Sequence, residues 1–129
     1  MAVTREMIEA IVKKINDAEN NRPNTSVENT IALIEECIAD DAEGFVNGTY
    51  LKEYKKLVPS GLYTQSSDYH RKLNQVIIDP PVVAFTWLVT GTFGDTSSEI
   101  HGCTVGEINE GGLFQRFWIY LDRSQSSTK

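Results

Sequence analysis

The 129-residue chain is poor in the features that assign a function quickly. It has only two cysteines, Cys37 and Cys103, in no CxxC or Cys/His pattern, so two buried thiols in a reducing compartment are the expectation. Its two histidines, His70 and His101, share no helical turn or strand face at ligand spacing, and no metal site is expected. No apolar run approaches the roughly 18–20 residues of a membrane-spanning helix. The opening stretch, residues 1–20, has neither an apolar h-region nor a small-residue cleavage site, so it reads as mature sequence. The glycosylation triplets Asn24-Thr25-Ser26 and Asn47-Gly48-Thr49 then read as chance matches. P-loop, GxGxxG, GxSxG and Cys/His nucleophile patterns are all missing, as are internal repeats. Positive charge is scarce: 12 Lys and Arg stand against 18 Asp and Glu, a net charge of −6. Such a surface repels phosphate, so neither nucleic acid nor an anionic membrane is an expected partner. Lys52, Lys55 and Lys56 form only a small basic face, expected to be solvated.

What remains is an ordinary globular composition, with 40% hydrophobic and 23% charged residues and enough chain for one core, and a cytoplasmic location is expected. Met7, Ile8, Ile11, Val12 and Ile15 mark a first helix with Thr4 as N-cap, stopping at Asn20-Asn21-Arg22-Pro23. A second is expected from Thr25 or Ser26, with Val27, Ile31, Ile34 and Ile38 on its buried face and Asp40-Asp41 closing it. A short strand at Gly44-Phe45-Val46 and a third helix over 51–58 follow. From residue 72 the period changes to two. Strands are expected over 72–79, 82–93, 99–109 and 113–122, broken by Pro80-Pro81 and Gly94-Asp95 and joined through Gly111-Gly112. Residues 123–129 read as a polar tail. The expected fold is α+β: a cone-shaped, curved, mainly antiparallel sheet covered by three N-terminal helices and enclosing an apolar pocket.

Three phrases in this order carry a family likeness. They are Ile38-Ala39-Asp40-Asp41-Ala42, Leu88-Val89-Thr90-Gly91-Thr92, and Gly111-Gly112-Leu113-Phe114 leading to Tyr120-Leu121-Asp122. From about residue 5 to 122 the chain resembles the nuclear transport factor 2-like superfamily, whose members include ketosteroid isomerase, limonene epoxide hydrolase and the SnoaL-like polyketide cyclases. The resemblance implies one such domain over 1–122, a deep apolar cavity, and a homodimer joined through the outer sheet face. It also shows where this chain departs. The positions that carry ionisable groups in those enzymes fall here near Val46 (with Asn47 beside it) and on Leu88, Thr90, Thr104 and Ile119. None can move a proton near neutral pH, so the relatives' mechanisms do not transfer.

Alternation places Phe117, Ile119 and Leu121 of the last strand and Ala84, Thr86, Leu88 and Thr90 of the long strand toward the pocket. Phe85, Trp87, Arg116, Trp118 and Tyr120 then form an outer aromatic patch suited to a dimer interface. A one-residue slip in register would exchange these faces. His70, with Asp68 two residues before it, is the expected acid/base. Asn47, Tyr50, Tyr54, Thr90 and Thr104 are expected to orient the ligand, with Thr86, Leu88, Phe117 and Ile119 shaping its pocket. His101 is expected on the outer face. The function expected is a cofactor-independent isomerase, cyclase or hydrolase acting on a small hydrophobic, polyketide- or terpenoid-like molecule. Three alternatives stay open: a non-catalytic binding or dimerisation module of the same fold, a pocket filled by core side chains, and a protein-interaction adaptor.

Overall fold

The computed structural model describes residues 2–59 and 66–122. Helix α1 spans Arg5–Asn20, and the Thr4 hydroxyl caps it by accepting from Met7 N at 3.2 Å. Its buried side chains, Ile8, Ile11, Val12, Ile15 and Ala18, lie on one stripe. Pro23 sits in a short 3-10 turn, Arg22–Asn24, which separates α1 from α2. Helix α2 spans Val27–Glu35, capped by Ser26 accepting from Asn29 N at 3.1 Å.

The second helix is therefore shorter than its sequence pattern predicts. Ile38, Asp40 and Asp41 belong to a nine-residue strand, β1 (Ile38–Val46), rather than to a helix end. Ile38 does fall four residues after Ile34, which mimics a continuing helical stripe. Parallel pairing with a strand more than seventy residues later overrides that pattern, setting Ile38 beside Phe114 and Val46 beside Ile119. The expected third helix over 51–58 is largely replaced: Leu51 closes a short strand, β2 (Thr49–Leu51), a 3-10 turn spans Tyr54–Leu57, and α-helical backbone begins only at residues 58–59, where this described stretch ends.

Four long strands complete the sheet: β3 (His70–Asp79), β4 (Val82–Phe93), β5 (Thr96–Ile108) and β6 (Phe114–Leu121). Their order is β2-β1-β6-β5-β4-β3, antiparallel except for β1 against β6. The class is thus α+β, with a mainly antiparallel sheet. The expected tail, 123–129, lies outside the described residues, as does part of the loop before β3. No helix among the described residues is long and apolar enough to cross a membrane.

Register decides which residues face the helices, and it corrects the expectation for β4. Phe85 and Trp87 are buried, at 2% and 8% exposure, on the helix-covered face, where they join Ile8, Ile11, Ile34 and Phe114 in one core. Ala84, Thr86, Leu88 and Thr90 lie on the outer face instead. Nor do Phe85 and Trp87 neighbour Arg116, Trp118 and Tyr120, because β5 runs between the two strands.

Candidate functional site

A cavity of about 720 Å³ lies between the inner sheet face and the α1, α2 and 51–58 segments. Its walls are mostly apolar: Ile15 and Ile34 from the helices, Phe85, Trp87 and Val89 from β4, and Phe117, Ile119 and Leu121 from β6. The volume falls within the roughly 300–1,000 Å³ of small-molecule sites.

Two glycines on β5 shape the wall. A Cβ at Gly102 would run into the Trp87 indole, and one at Gly106 into the Phe114 ring. Both rings therefore lie flat across β5, with Thr104 between the glycines. There Trp87 Nε1 donates to Thr104 Oγ1 at 2.9 Å. Thr104 is 4% exposed and its hydroxyl has no other partner among the described residues, so its proton is available to an acceptor in the cavity.

The polar end of the cavity comes from α1 and from the approach to β3. Glu19 Oε1 accepts from Tyr69 Oη at 2.9 Å and from Arg22 at 3.2 Å, while the Arg22 guanidinium lies 4.1 Å over the Tyr69 ring. Oε2 of Glu19 has no hydrogen-bond partner among the described residues. Asn20 clamps β3 to the end of α1: its Oδ1 accepts from Arg71 N at 2.7 Å and its Nδ2 donates to Arg71 O at 2.9 Å. This fixes Arg71, whose guanidinium approaches the Phe85 and Trp87 rings at 5.4 and 5.8 Å. Tyr54 packs against Phe117, with centroids 4.8 Å apart. Burial, reinforced by the charge of Glu19, pushes its phenol up to about 12 against the opposing pull of Arg71. The Tyr69 phenol is raised further, again by burial first and Glu19 second. Both phenols stay protonated at neutral pH and serve as donors.

Of the residues singled out from sequence, Tyr54, Thr104, Phe117 and Ile119 line this cavity. The others do not. His70 is exposed and stands opposite Thr90 on the outer face, one position from the inward-facing Arg71. Asp68 does not orient it. That exposed carboxylate instead accepts from Ser66 Oγ at 2.5 Å and from Thr92 N and Oγ1, both at 2.8 Å. Asn47 ties the β1–β2 turn to β6, exchanging two bonds with the Leu121 backbone at 3.0 and 3.2 Å. Tyr50 is exposed on the outer face and donates to Glu43 at 2.8 Å. Thr86, Leu88 and Thr90 also lie outside the cavity, because Phe85, Trp87 and Val89 take the inward positions.

Sequence alone missed Glu19, Arg22, Tyr69 and Arg71. One signal was present: Tyr69, Arg71 and Leu73 share a face by alternation, opposite His70 and Lys72. His101 lies on the outer face, 3.5 Å from Glu99. Among the described residues no cluster of His, Cys, Asp and Glu could hold a metal ion.

The outer face carries one apolar row that crosses all six strands. Tyr50, Phe45, Trp118, Val105, Ala84 and Ile77 are paired in turn. Phe45 and Trp118 stack at 5.9 Å with their planes 4° apart. Beside that row, Arg116 bridges Glu43 at 3.2 Å and Glu107 at 2.7 Å.

No protein-family model and no curated protein matches the chain by sequence. Solved structures do share its fold. An LEH-like epoxide hydrolase from M. tuberculosis superposes with a TM-score of 0.72 at 16% identity, covering 95% of this chain and 86% of that one. The nuclear transport factor 2-like protein of unknown function from Exiguobacterium sp. 255-15 gives 0.71 at 13% identity, over 88% and 98%. IdmH from Streptomyces antibioticus, a candidate polyketide cyclase, gives 0.70 at 15% identity, over 91% and 93%. The chain thus has the nuclear transport factor 2-like fold, as its phrases and element order predict.

Proposed function

We propose that this single-domain protein is a cofactor-independent, cytoplasmic enzyme that moves a proton on a small hydrophobic molecule held in the cavity. The reaction is of isomerase, cyclase or hydrolase type, and the substrate is polyketide- or terpenoid-like. The observation that carries this is the arrangement of Glu19 at the polar end of a mostly apolar cavity. One carboxylate oxygen is fixed by Tyr69 and Arg22, and the other is uncommitted among the described residues. A carboxylate in such a place can take a proton from a carbon beside a carbonyl. The enolate oxygen that forms needs donors, and Tyr54 and Thr104 have them to give. Acid–base work then falls to Glu19 rather than to His70 and Asp68. Neighbours of the same fold described as an epoxide hydrolase and a candidate cyclase support the substrate class.

The test is exchange of deuterium from solvent into a small hydrophobic ketone such as 2-tetralone, followed by NMR. The wild type should accelerate exchange, and Glu19→Gln should reduce it by a factor of roughly 100 or more. A ketone that binds but exchanges at the buffer rate would overturn the catalytic assignment. That result would leave the rival, a non-catalytic binding module. The rival is favoured by Val46, Leu88, Thr90, Thr104 and Ile119 occupying the positions where related enzymes resemble one another in carrying acids and bases.

The same proposal includes a homodimer through the outer face, with Trp118, Tyr120 and Arg116 among its contacts. The apolar row across six strands supports it, since the residues at its two ends, Ile77 and Tyr50, are 66% and 47% exposed in the single chain.

A further inference from the structure

The ionised side chains among the described residues lining the cavity are Glu19, Arg22 and Arg71. Glu19 and Arg22 neutralise one another at 3.2 Å. Arg71 is left over, giving the cavity wall a net charge of +1 on a chain whose total is −6. Its side chain belongs to a residue only 8% exposed. Its backbone is held at both N and O by Asn20, so the residue is built into the wall and does not swing in from the surface. The guanidinium makes no ion pair and no hydrogen bond with any described residue; it faces the Phe85 and Trp87 rings, and its charge reaches the Tyr54 and Tyr69 phenols. Phe85 and Trp87 stabilise the cation through their π-systems, which leaves the five in-plane N–H donors without acceptors among the described residues. Removing a charge from water without a partner is costly, and burial of this kind is normally compensated by an opposite charge.

We infer that Arg71 is an anion anchor, and that the cavity's natural ligand is an apolar molecule bearing a carboxylate. The planar guanidinium fork matches a carboxylate in two parallel hydrogen bonds. The apolar body then extends along Phe117, Ile119 and Leu121. The inference rests on the cavity being a ligand site, as proposed above, and it adds the ligand's charged group. Lysine would not substitute fully, because its ammonium offers a point charge in place of the fork.

The experiment compares two ligands of one skeleton, citronellate and citronellol, by isothermal titration calorimetry on the full chain at pH 7. The wild type should bind the carboxylate more tightly than the alcohol by a factor on the order of 10 to 100. Arg71→Met should bring the two affinities together by weakening the carboxylate alone, and Arg71→Lys should fall between. The wild-type comparison stands even if a variant fails to fold. Equal wild-type affinities for acid and alcohol would overturn the anion anchor and leave the cavity a ligand site. No binding of either molecule would overturn both.

Discussion

The indole Nε1 of Trp87 donates to the hydroxyl of Thr104 at 2.9 Å, across the pairing of β4 with β5. The bond fixes the largest ring in the cavity and turns the threonine into a donor toward whatever the cavity holds. Thr104→Val removes the acceptor while keeping the volume. It should destabilise the fold by about 1–3 kcal/mol, the cost of leaving a buried N–H unpaired. Chemical denaturation with Trp87→Phe and the double variant measures this. Once Trp87 is gone, Thr104→Val should cost much less.

Gly106 admits the Phe114 ring, and a Cβ there would overlap it. Phe114 is fully buried, so it has no solvent-side space into which to retreat. Gly106→Ala should therefore lower stability by about 1–3 kcal/mol, the usual cost of overpacking. An unchanged melting temperature would show that the ring relocates freely.

The carboxyl of Asp68 is held down to about 2, first by the Ser66 hydroxyl and then by the Thr92 amide and hydroxyl. In the unfolded chain it titrates near 3.9. Because the folded value is the lower one, its stabilisation is present above about pH 4 and is lost as pH falls toward 2. Asp68→Ala should be less stable than wild type at neutral pH, with the difference shrinking across that acid window. Melting temperatures measured from pH 7 to pH 2 would show it. A difference that stays constant with pH would mean the carboxylate's charge contributes nothing.

Ile77 ends the apolar row on the outer face and is 66% exposed. Ile77→Asp should leave the melting of a single chain almost unchanged, since a surface position has little packing to lose. If the outer face joins two copies, the substitution should shift the sedimentation coefficient from dimer toward monomer. A wild type that sediments as a monomer at all concentrations removes the dimer proposal.

The helix-to-strand order and the hairpins were legible because β-branched runs and Gly–Gly or Pro–Pro breaks are local signals. Two parts of the fold were not. Along β4 both alternating sets are apolar enough to face a core: Val83, Phe85, Trp87 and Val89 in one, Val82, Ala84, Leu88 and Thr90 in the other. β5 decides between them, because Gly102 leaves room for the Trp87 indole on the inner face. The strand nature of Ile38–Val46 depends on pairing with β6, a long-range contact that no local window contains. The polar cluster escaped for the same reason. Glu19 reads as a solvated helix residue until α1 crosses β3 and brings Tyr69 to it, 50 residues along the chain.

The most direct measurement of the central claim, that the cavity takes a small hydrophobic molecule, uses the two tryptophans. Trp118 lies on the outer face, so Trp118→Phe leaves Trp87, in the cavity wall, as the sole indole emitter. Titrating that variant with 2-tetralone should change the Trp87 emission along a saturable curve with one site per chain. Trp87 emission that stays constant while a Phe117→Ala variant, with more room, also shows no saturation would contradict the account, because the space beside Trp87 would then be closed to ligands.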